Sequence, residues 1–301
     1  FGYMVENRFL RQAIFQRMAE LAGVSFLAPA SITEMERDGA GVRARLDTGE
    51  NLSAPLIIGA DGRGSPTRRA AGIALTQWSY HQTGIVCTVA HEKPHENTAY
   101  EHFLSAGPFA ILPLPGNFSS IVWSEEERLA GRIMEMDDQD FHAQLARRFC
   151  DFLGGIKVVG PRWAYPFSLQ FAQSSIGRRL ALIGDAAHGM HPIAGQGMNM
   201  GLRDVAALAE LLVDGKRGGL DLGSTGLLSR YERWRRFDNM QMLALTDGLL
   251  RLFSNDILLL RIARGLGLAA VNRAGPLKRF FMKHAMGLVG DLPRLLQGEG
   301  L

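Results

Sequence analysis

The sequence is poor in features that mark several large classes of protein. Cysteine occurs only at Cys87 and Cys150 among 301 residues, which excludes a disulfide framework and favours a reducing, cytoplasmic compartment. No run of 18 uncharged apolar residues is present, so no transmembrane helix is predicted. Charged residues make up 21% and apolar residues 47% of the chain, which predicts a folded globular protein rather than a disordered one.

Signatures of several common active sites are also missing. The sequence contains no paired-carboxylate motif and no Ser/His/Asp arrangement. His188 and His191 have a His-x-x-His spacing, but no further group of Cys, His or Asp completes a coordination set, so no metal is predicted. The formal net charge is only +3 and no nucleic-acid reader motif accompanies it, so nucleic acid is not an expected partner.

The stretch from Arg179 to Gly201 is the most informative part of the chain. Leu180 to Ile183 is a short apolar run that predicts a buried parallel strand, and Gly184-Asp185 ends it. Three glycines then lead into an Ala/Leu-rich helix over residues 202–213; they are Gly195, Gly197 and Gly201. A ligand placed there would meet bare backbone, a helix N-terminus and one carboxylate, which predicts a cofactor site.

A second stretch has the same order of features. The apolar run Leu56 to Gly59 predicts a strand that closes on Asp61-Gly62. Ser65 then reads as a helix N-cap with Pro66 at the first helical position, and Arg68 follows on the next turn. An acid and a base at the carboxyl end of a strand lie where open α/β sheets bind ligands.

The remaining pattern predicts an α/β protein with an inserted β-sheet domain and a C-terminal helical region. We expect a helix over residues 8–22, a strand over 24–28, an antiparallel meander over 31–60 and a helix over 138–152 inside the inserted sheet. The predicted domains are residues 1–76 together with 171–220, the inserted sheet over 77–170, and the helices over 221–301.

The two motifs together resemble a known family. Gly-Ala-Asp-Gly at 59–62 and Gly-Asp-Ala-Ala-His-x-x-x-Pro at 184–192, with Gly-Gln-Gly-x-Asn at 195–199, are similar to those of the FAD-dependent aromatic hydroxylases, the class A flavoprotein monooxygenases. Further segments resemble the ubiquinone-biosynthesis branch; they are Val5–Arg11, Tyr231–Asn239, Phe253–Asp256, Arg264–Leu268 and Lys278–Pro293. The resemblance runs from about Val5 to Gly298.

The resemblance implies a doubly wound FAD/NAD(P)-binding fold, in which residues 1–76 and 171–220 would bind the cofactor and residues 77–170 the substrate. It also assigns cofactor roles to particular residues. Asp185 would bond the ribityl chain of FAD, Asp61 and Gly62 would serve FAD and NAD(P)H binding, and Arg8 would lie near the ribityl and phosphate region. The residues expected against the flavin ring are Pro192, Gly195, Gln196, Gly197, Met198 and Asn199, after Gly184 in the same motif. Arg68 is a further candidate, and His188 is expected to be structural.

The resemblance also implies the chemistry. NAD(P)H would reduce FAD, O2 would add at flavin C4a, and the hydroperoxide would transfer one oxygen to the ring of a polyprenyl phenol in ubiquinone biosynthesis. Because the flavin carries the hard chemistry, few protein acids or bases are needed. The expected cavity lining comes from the inserted sheet, namely Phe109, Leu112, Pro113 and Leu114.

The start of the chain departs from the family pattern. The family opens with a strand and a Gly-x-Gly-x-x-Gly loop for the FAD pyrophosphate, and this chain begins at Phe1 with neither. We therefore expect a chain that lacks its first βαβ unit and binds FAD weakly or not at all.

The C-terminal quarter of the chain is basic. Residues 230–301 carry 12 Lys/Arg against 6 Asp/Glu, and Ile257–Arg264 and Leu277–Met286 read as amphipathic helices with basic faces. They would either lie on an anionic inner-membrane surface or pack against protein, including partners in quinone biosynthesis. Two other functions stay open: a truncated, non-catalytic interaction module, or another flavoenzyme on the same fold, such as a hydroxylase of soluble phenols, a reductase or a halogenase.

Overall fold

The computed structural model describes residues 2–254, 257–286 and 290–301. The chain divides into two compact units. Unit 1 contains Phe1–Arg17, Ser79–Ser168 and Gly248–Met286, and unit 2 contains Met18–Trp78, Leu169–Asp247 and Gly287–Leu301. The chain crosses between units at 78/79 and 168/169, whereas the predicted boundaries were 76/77 and 170/171. The assignment of these parts to cofactor and substrate stays a prediction.

The helices and strands follow one another in chain order. The strands are β1 (Ile32–Arg37), β2 (Val42–Leu46), β3 (Asn51–Ala54), β4 (Ile57–Gly59), β5 (Leu75–His91), β6 (Tyr100–Leu104), β7 (Gly107–Leu114), β8 (Phe118–Glu126), β9 (Ile156–Ala172), β10 (Ile176–Gly177), β11 (Leu180–Leu182) and β12 (His188–Gly189). The α-helices are α1 (Asn7–Ala19), α2 (Pro66–Ala70), α3 (Glu127–Glu135), α4 (Asp138–Phe149), α5 (Gly197–Arg217), α6 (Thr225–Phe253), α7 (Leu258–Arg273) and α8 (Gly275–Ala285). Short 3-10 helices cover Gly184–Ala186, Pro192–Ala194 and Arg294–Gln297.

Unit 1 is built on an antiparallel sheet with strand order β9-β5-β8-β7-β6. Side chains alternate between the two faces of a strand, and one face packs against α3 and α4. Its core residues include Ile85, Phe109, Ile111, Ile121 and Trp123, each 0% exposed. We call the opposite side of β5–β8 the open face, because its central residues Val86, Ala110 and Val122 are only partly buried.

The alternation corrects the predicted cavity lining. Phe109 faces the helix-covered core, where its ring lies 6.3 Å from that of Trp123, and so it cannot line a cavity on the open face. Leu112 and Leu114, an odd number of residues further along β7, are partly buried instead. A run of consecutive apolar residues on one strand necessarily divides between two faces.

Unit 2 contains two small sheets. In one, β4 and β11 run parallel and β10 pairs with β11 antiparallel, which confirms the predicted parallel strand at Leu180. Helices α5 and α6 pack against it through Ala207, Leu211, Leu228 and Tyr231. In the other sheet, β1, β2 and β3 form an antiparallel meander.

Several predicted elements differ in extent. The meander ends with β3, since β4 joins the other sheet as a parallel strand. Residues 24–28 form no strand: Val24 and Phe26 are exposed there, so the segment lacks the packing that would hold one. The predicted helix over 138–152 ends at Phe149, because Cys150 adopts a left-handed backbone conformation with φ of 63°.

The C-terminal predictions are only partly described. The segments Ile257–Arg264 and Leu277–Met286 contribute to α7 and α8, but the side chains of residues 258–263, 284 and 285 lie outside the described residues. Residues 255 and 256 of the Phe253–Asp256 motif, and 287–289 of the Lys278–Pro293 segment, lie outside them as well. Within the described part of the chain, no helix is both long and apolar enough to span a bilayer.

Candidate functional site

The two acidic turns predicted from the sequence lie side by side in unit 2. Strands β4 and β11 are hydrogen-bonded neighbours in parallel register, with Ile57 opposite Leu180 and Gly59 opposite Leu182. Asp61 follows the end of one strand and Asp185 the end of the other. Because parallel strands end at the same edge, both turns lie where ligands bind to open α/β sheets.

Both carboxylate oxygens of Asp61 accept hydrogen bonds from residues of its own turn. One carboxylate oxygen accepts a hydrogen bond from the Ser65 hydroxyl, and Oδ2 accepts the backbone N–H of Thr67 at 2.9 Å. Burial opposes ionisation, but these hydrogen bonds outweigh it and lower the pKa of Asp61. Ser65 in turn caps α2 by accepting the N–H of Arg68, and Pro66 opens the helix, which confirms the predicted cap. The carboxylate therefore stabilises the start of α2.

Asp185 has a more open carboxylate. Its Oδ2 accepts a hydrogen bond from Arg63 Nε at 3.1 Å, and the two side chains remain 45% and 38% exposed. The structure places Asp185 in a 3-10 turn after β11, with Gly184 in the left-handed region at φ of 55°. The exposed carboxylate can accept hydrogen bonds from a ligand's hydroxyl groups.

Two buried side chains tie the turns together. Arg68 is 4% exposed and donates to the backbone oxygens of Ala186 at 2.8 Å and Arg63 at 3.0 Å. Desolvation by burial lowers the pKa of Arg68. Gln170, near the end of β9, donates from its side-chain Nε2 to two backbone oxygens, that of Arg63 at 3.2 Å and that of Asp185 at 2.9 Å. Arg68, a weaker candidate in the sequence, thus fixes the relative position of the two acids.

The loop after Asp185 brings bare backbone to the start of a long helix. The 3-10 turn Pro192–Ala194 ends at Gly195, which is left-handed at φ of 60°, and α5 begins at Gly197. A Cβ built at Gly195 or Gly197 would meet no atom within 4 Å, so both glycines border open space. Met198 is 51% exposed and Asn199 is exposed as well. The first N–H groups of α5 therefore border accessible space and have no partners within the helix.

The buried carboxylate of Asp204 forms hydrogen bonds with the turn that carries Asp185. Asp204, on α5, is 0% exposed and accepts hydrogen bonds from His188 Nε2 at 2.6 Å, Arg235 Nε at 2.9 Å, the Gly184 N–H at 3.0 Å and Asn239 Nδ2 at 3.3 Å. Burial raises the cost of its charge, but His188 and Arg235 outweigh it and lower the pKa of Asp204. Through the Gly184 N–H, this network holds the turn that carries Asp185.

The two histidines of the motif have different roles. His188 donates to Asp204 in the network described above, in agreement with a structural role. His191 is 0% exposed, and its Nδ1 accepts the Ile193 N–H at 3.1 Å, which caps the 3-10 turn. Burial lowers the pKa of His191 to about 4, against an opposing effect of Asp247. In the described part of the chain, no group of three or more His, Cys, Asp or Glu is arranged to hold a metal ion.

Arg8 belongs to unit 1 and takes no part in these contacts. Its guanidinium lies on α1, 71% exposed, with Nη2 2.9 Å from Glu6 Oε1 and Cζ 4.6 Å from the Phe9 ring centroid. Its predicted place near the flavin ribityl and phosphate groups stays a prediction.

Three contributors to the site were missed in the sequence. Arg63 stands inside the Asp-Gly-Arg-Gly turn, so the motif itself could have indicated it. Asp204 is an acid within the Ala/Leu-rich sequence of α5, where a buried carboxylate needs partners. Gln170 sits near the end of a long strand, and no local pattern marks it.

Comparison with known proteins decides the family. The model of a family described as FAD binding domain matches residues 10–246. The chain is 55% identical over its whole length to the ubiquinone hydroxylase UbiL of Rhodospirillum rubrum and covers 71% of that protein. The chain belongs to the FAD-dependent hydroxylases of ubiquinone biosynthesis.

Other relatives of this hydroxylase agree. The 3-demethoxyubiquinol 3-hydroxylase of Escherichia coli is 37% identical over 95% of the chain, which spans 73% of that protein. Among solved structures, p-nitrophenol 4-monooxygenase PnpA from Pseudomonas putida matches with a TM-score of 0.77 at 18% identity, covering 92% of this chain and 71% of that one. The anhydrotetracycline hydroxylase OxyS from Streptomyces rimosus matches with a TM-score of 0.75 at 22% identity. This match covers 96% of this chain and 58% of the OxyS chain. The structural matches confirm the fold, and the hydroxylase is an FAD-dependent monooxygenase.

The residues of unit 2 suit the FAD cofactor of this hydroxylase. Asp185 offers a half-exposed carboxylate for sugar-alcohol hydroxyls. The space beside Gly195 and Gly197 gives a flat ring system access to the backbone. The positive end of the α5 dipole favours negative charge at that point. FAD is the cofactor, and NAD(P)H is the typical co-substrate of this class.

Proposed function

We propose that this hydroxylase adds oxygen to the aromatic ring of a polyprenyl phenol in ubiquinone biosynthesis, with Asp185 and the start of α5 holding its FAD. The observation that carries the proposal is the turn after β11, where an accessible carboxylate stands at a parallel strand end and the next helix begins among open glycines. The relatives named ubiquinone hydroxylase and 3-demethoxyubiquinol 3-hydroxylase support the choice of substrate class.

The chain's own residues bind and orient the cofactor. Asp185 would accept hydrogen bonds from the ribityl hydroxyls, and the hydrogen bond from Arg63 Nε orients its carboxylate. The segment from Pro192 to Asn199 would hold the ring system of FAD, and its backbone N–H groups would stabilise negative charge there. Bound FAD would supply the chemistry for electron transfer from NAD(P)H and oxygen transfer from O2.

The contacts of Asp61 favour a structural role over the predicted cofactor role. Both of its oxygens already accept hydrogen bonds from the start of α2. We therefore propose that Asp61 contributes by shaping the Arg63-bearing turn, while Gly62, left-handed at φ of 78°, lets the backbone reverse there.

Exposed apolar and basic residues of α7 and α8 favour binding of the protein to a membrane surface. Leu266, Leu277, Phe280 and Phe281 are between 42% and 68% exposed. The basic residues Arg273, Lys278, Arg279 and Lys283 are also exposed on these helices. We propose that this combination binds an anionic membrane surface, where polyprenyl substrates are found.

Flavin binding and turnover test the proposed function. The protein is loaded with FAD, and flavin fluorescence is titrated to obtain Kd, with Asp185→Ala beside Asp138→Ala, an exposed aspartate of α4, as control. We expect weaker binding only in Asp185→Ala. The loaded protein is then given NAD(P)H, O2 and a prenylphenol, and one added oxygen is sought by mass spectrometry. Equal FAD affinity in both variants would refute the Asp185 assignment, and an unmodified phenol would refute the substrate class.

Vesicle binding tests the membrane proposal separately. Phe280→Ser should reduce co-sedimentation with vesicles containing phosphatidylglycerol, while Leu220→Ser, an exposed apolar residue of unit 2, should not. Equal binding by both variants, or binding independent of anionic lipid, would overturn it.

A further inference from the structure

On the open face of unit 1, the carboxylate of Glu101 lies next to apolar side chains. On β6, Tyr100 and His102 point toward the helix-covered core: the Tyr100 ring lies 4.6 Å from that of Phe152, and the His102 ring 6.2 Å from that of Phe109. Because side chains alternate, Glu101 points to the opposite, open face.

The neighbours of Glu101 on that face are apolar. The sheet register places Glu101 opposite Ala110, Ala110 opposite Val122, and Val122 opposite Val86, so these four residues form a row across four strands. Phe103, two residues along β6, has its ring centroid 4.3 Å from that of Phe253 at the end of α6. Glu101 therefore stands at the end of an apolar row, beside an aromatic pair.

The open face is suited to a ligand that is apolar with one polar group. Apolar residues on both faces of an antiparallel sheet indicate that both faces are covered in the working protein. Here helices α3 and α4 cover the core face, whereas Val86, Ala110 and Val122 on the open face are only partly buried. A prenylated ring laid on this row would bury apolar surface and could direct its hydroxyl to Glu101.

Among the residues whose side chains the structure describes, few charged groups lie around Glu101. The open side of β7 offers Pro108, Ala110 and Leu112, which do not titrate, and the other acid of the same face, Glu126, pairs opposite Gln82 at the far end of β8. From the helices, Arg264 donates to the Phe253 carbonyl oxygen at 2.7 Å, and Arg251 lies two residues before Phe253. Although Glu101 is an exposed residue, desolvation by the surrounding protein is the one cause that raises the pKa of its carboxyl to about 7.

We propose that Glu101 binds the phenolic hydroxyl of the substrate on the open face and takes its proton as general base. The proposal rests on the proposed phenol hydroxylation. The phenol O–H bond breaks with its electron pair left on oxygen, and the proton forms an O–H bond with the carboxylate. The phenolate oxygen then releases electron density into the ring, which makes the ring a better nucleophile. The carboxyl returns the proton to the oxygen when product leaves.

A base with a pKa near the working pH suits this step, because enough of it is deprotonated to accept a proton and it still binds that proton well. Below about pH 7 the carboxyl of Glu101 is protonated and cannot accept the proton, so kcat/KM for the phenol should fall on the acid side. A purely structural carboxyl on this strand would affect stability or KM without setting that limb of the pH profile.

The test compares Glu101→Gln with Glu135→Gln, an exposed glutamate on α3, in the FAD-loaded hydroxylase acting on an ortho-prenylphenol with one isoprene unit. We expect Glu101→Gln to lower kcat by about 100-fold, leave KM within about threefold, and lose the acid limb near pH 7. Glu101→Asp should keep that limb at a reduced rate. An unchanged kcat and acid limb in Glu101→Gln would overturn the proposal.

A binding experiment separates this proposal from the proposed function. The wild type should bind the prenylphenol more tightly than its methyl ether, which has no hydroxyl proton, and Glu101→Leu should lose this preference. If the preference persists in Glu101→Leu, the role of Glu101 is refuted. If the preference is lost but no phenol is ever oxygenated by the wild type, Glu101 stands as the hydroxyl-binding residue and the hydroxylation proposal fails.

Discussion

The turns after β4 and β11 look alike in sequence but use their acids in different ways. Asp61 turns inward, with both oxygens bonded to the start of α2, whereas Asp185 is half-exposed and bonded to Arg63 through one oxygen. Asp185 also rests on a support that Asp61 lacks, since the Gly184 N–H is held by buried Asp204. An acid at a strand end therefore does not define a ligand contact; what matters is whether neighbouring donors leave the carboxylate accessible.

The largest expected effect comes from removing the support under the Asp185 turn. Asp204→Ala leaves the Arg235 guanidinium, which is 1% exposed, without one of its carboxylate partners, and leaves the Gly184 N–H without its acceptor. We expect the free energy of unfolding to fall by about 3–5 kcal/mol in urea titrations. Asp214→Ala, which breaks an exposed ion pair of the same helix with Arg294, should cost much less than Asp204→Ala, because solvent screens that pair. Equal losses would mean that the buried network contributes no special stability.

Burial of His191, in the loop after Asp185, should make the stability of the protein depend on pH. His191 has a folded pKa of about 4, below the ordinary value of 6.5, so the unfolded chain binds the proton first as the pH falls. Stability should therefore be full above pH 6.5 and decline by roughly 3 kcal/mol toward pH 4. His191→Asn, which can still cap the turn, should show a flatter profile than the wild type, and His81→Asn at an exposed position should not. Parallel profiles for the wild type and His191→Asn would contradict the burial argument.

The third prediction concerns ligand affinity rather than stability. Asp185→Ala removes a charged acceptor of ribityl hydroxyls, and FAD Kd should rise by about 10- to 100-fold. The Arg63 pair that it breaks is half-exposed, so the unfolding free energy of the FAD-free protein should change by less than about 1 kcal/mol. A large loss of stability with unchanged FAD affinity would reverse the roles assigned to the two turns.

The smallest effect is expected at the other turn. Asp61→Ala removes two hydrogen bonds at the start of α2 and should cost about 1 kcal/mol of stability, as for the loss of a helix cap. FAD Kd should rise less than threefold, clearly less than in Asp185→Ala. If Asp61→Ala weakens FAD as much as Asp185→Ala does, the direct cofactor role predicted from the sequence is correct and the structural role is wrong.

Local patterns allowed much of the fold to be predicted. The parallel strand at Leu180, the Ser65 cap with Pro66, the meander of β1–β3 and the helix from Asp138 all follow from apolar periodicity and turn residues. The strand expected over 24–28 was wrong, because an apolar run needs a partner strand or a core to become a strand. The four apolar residues assigned to one cavity were also divided between two faces of β7.

The cofactor motifs, the family and the presence of FAD were set by the sequence itself, since the order of strand, acid, glycine and helix is local along the chain. Only the tertiary structure decided which side chains the acids meet. Arg63 comes to Asp185 across 122 residues, and Arg235 to Asp204 across 31. Such pairs depend on which strands become neighbours and which helix faces become buried. These are consequences of packing the whole chain, and no short segment encodes them.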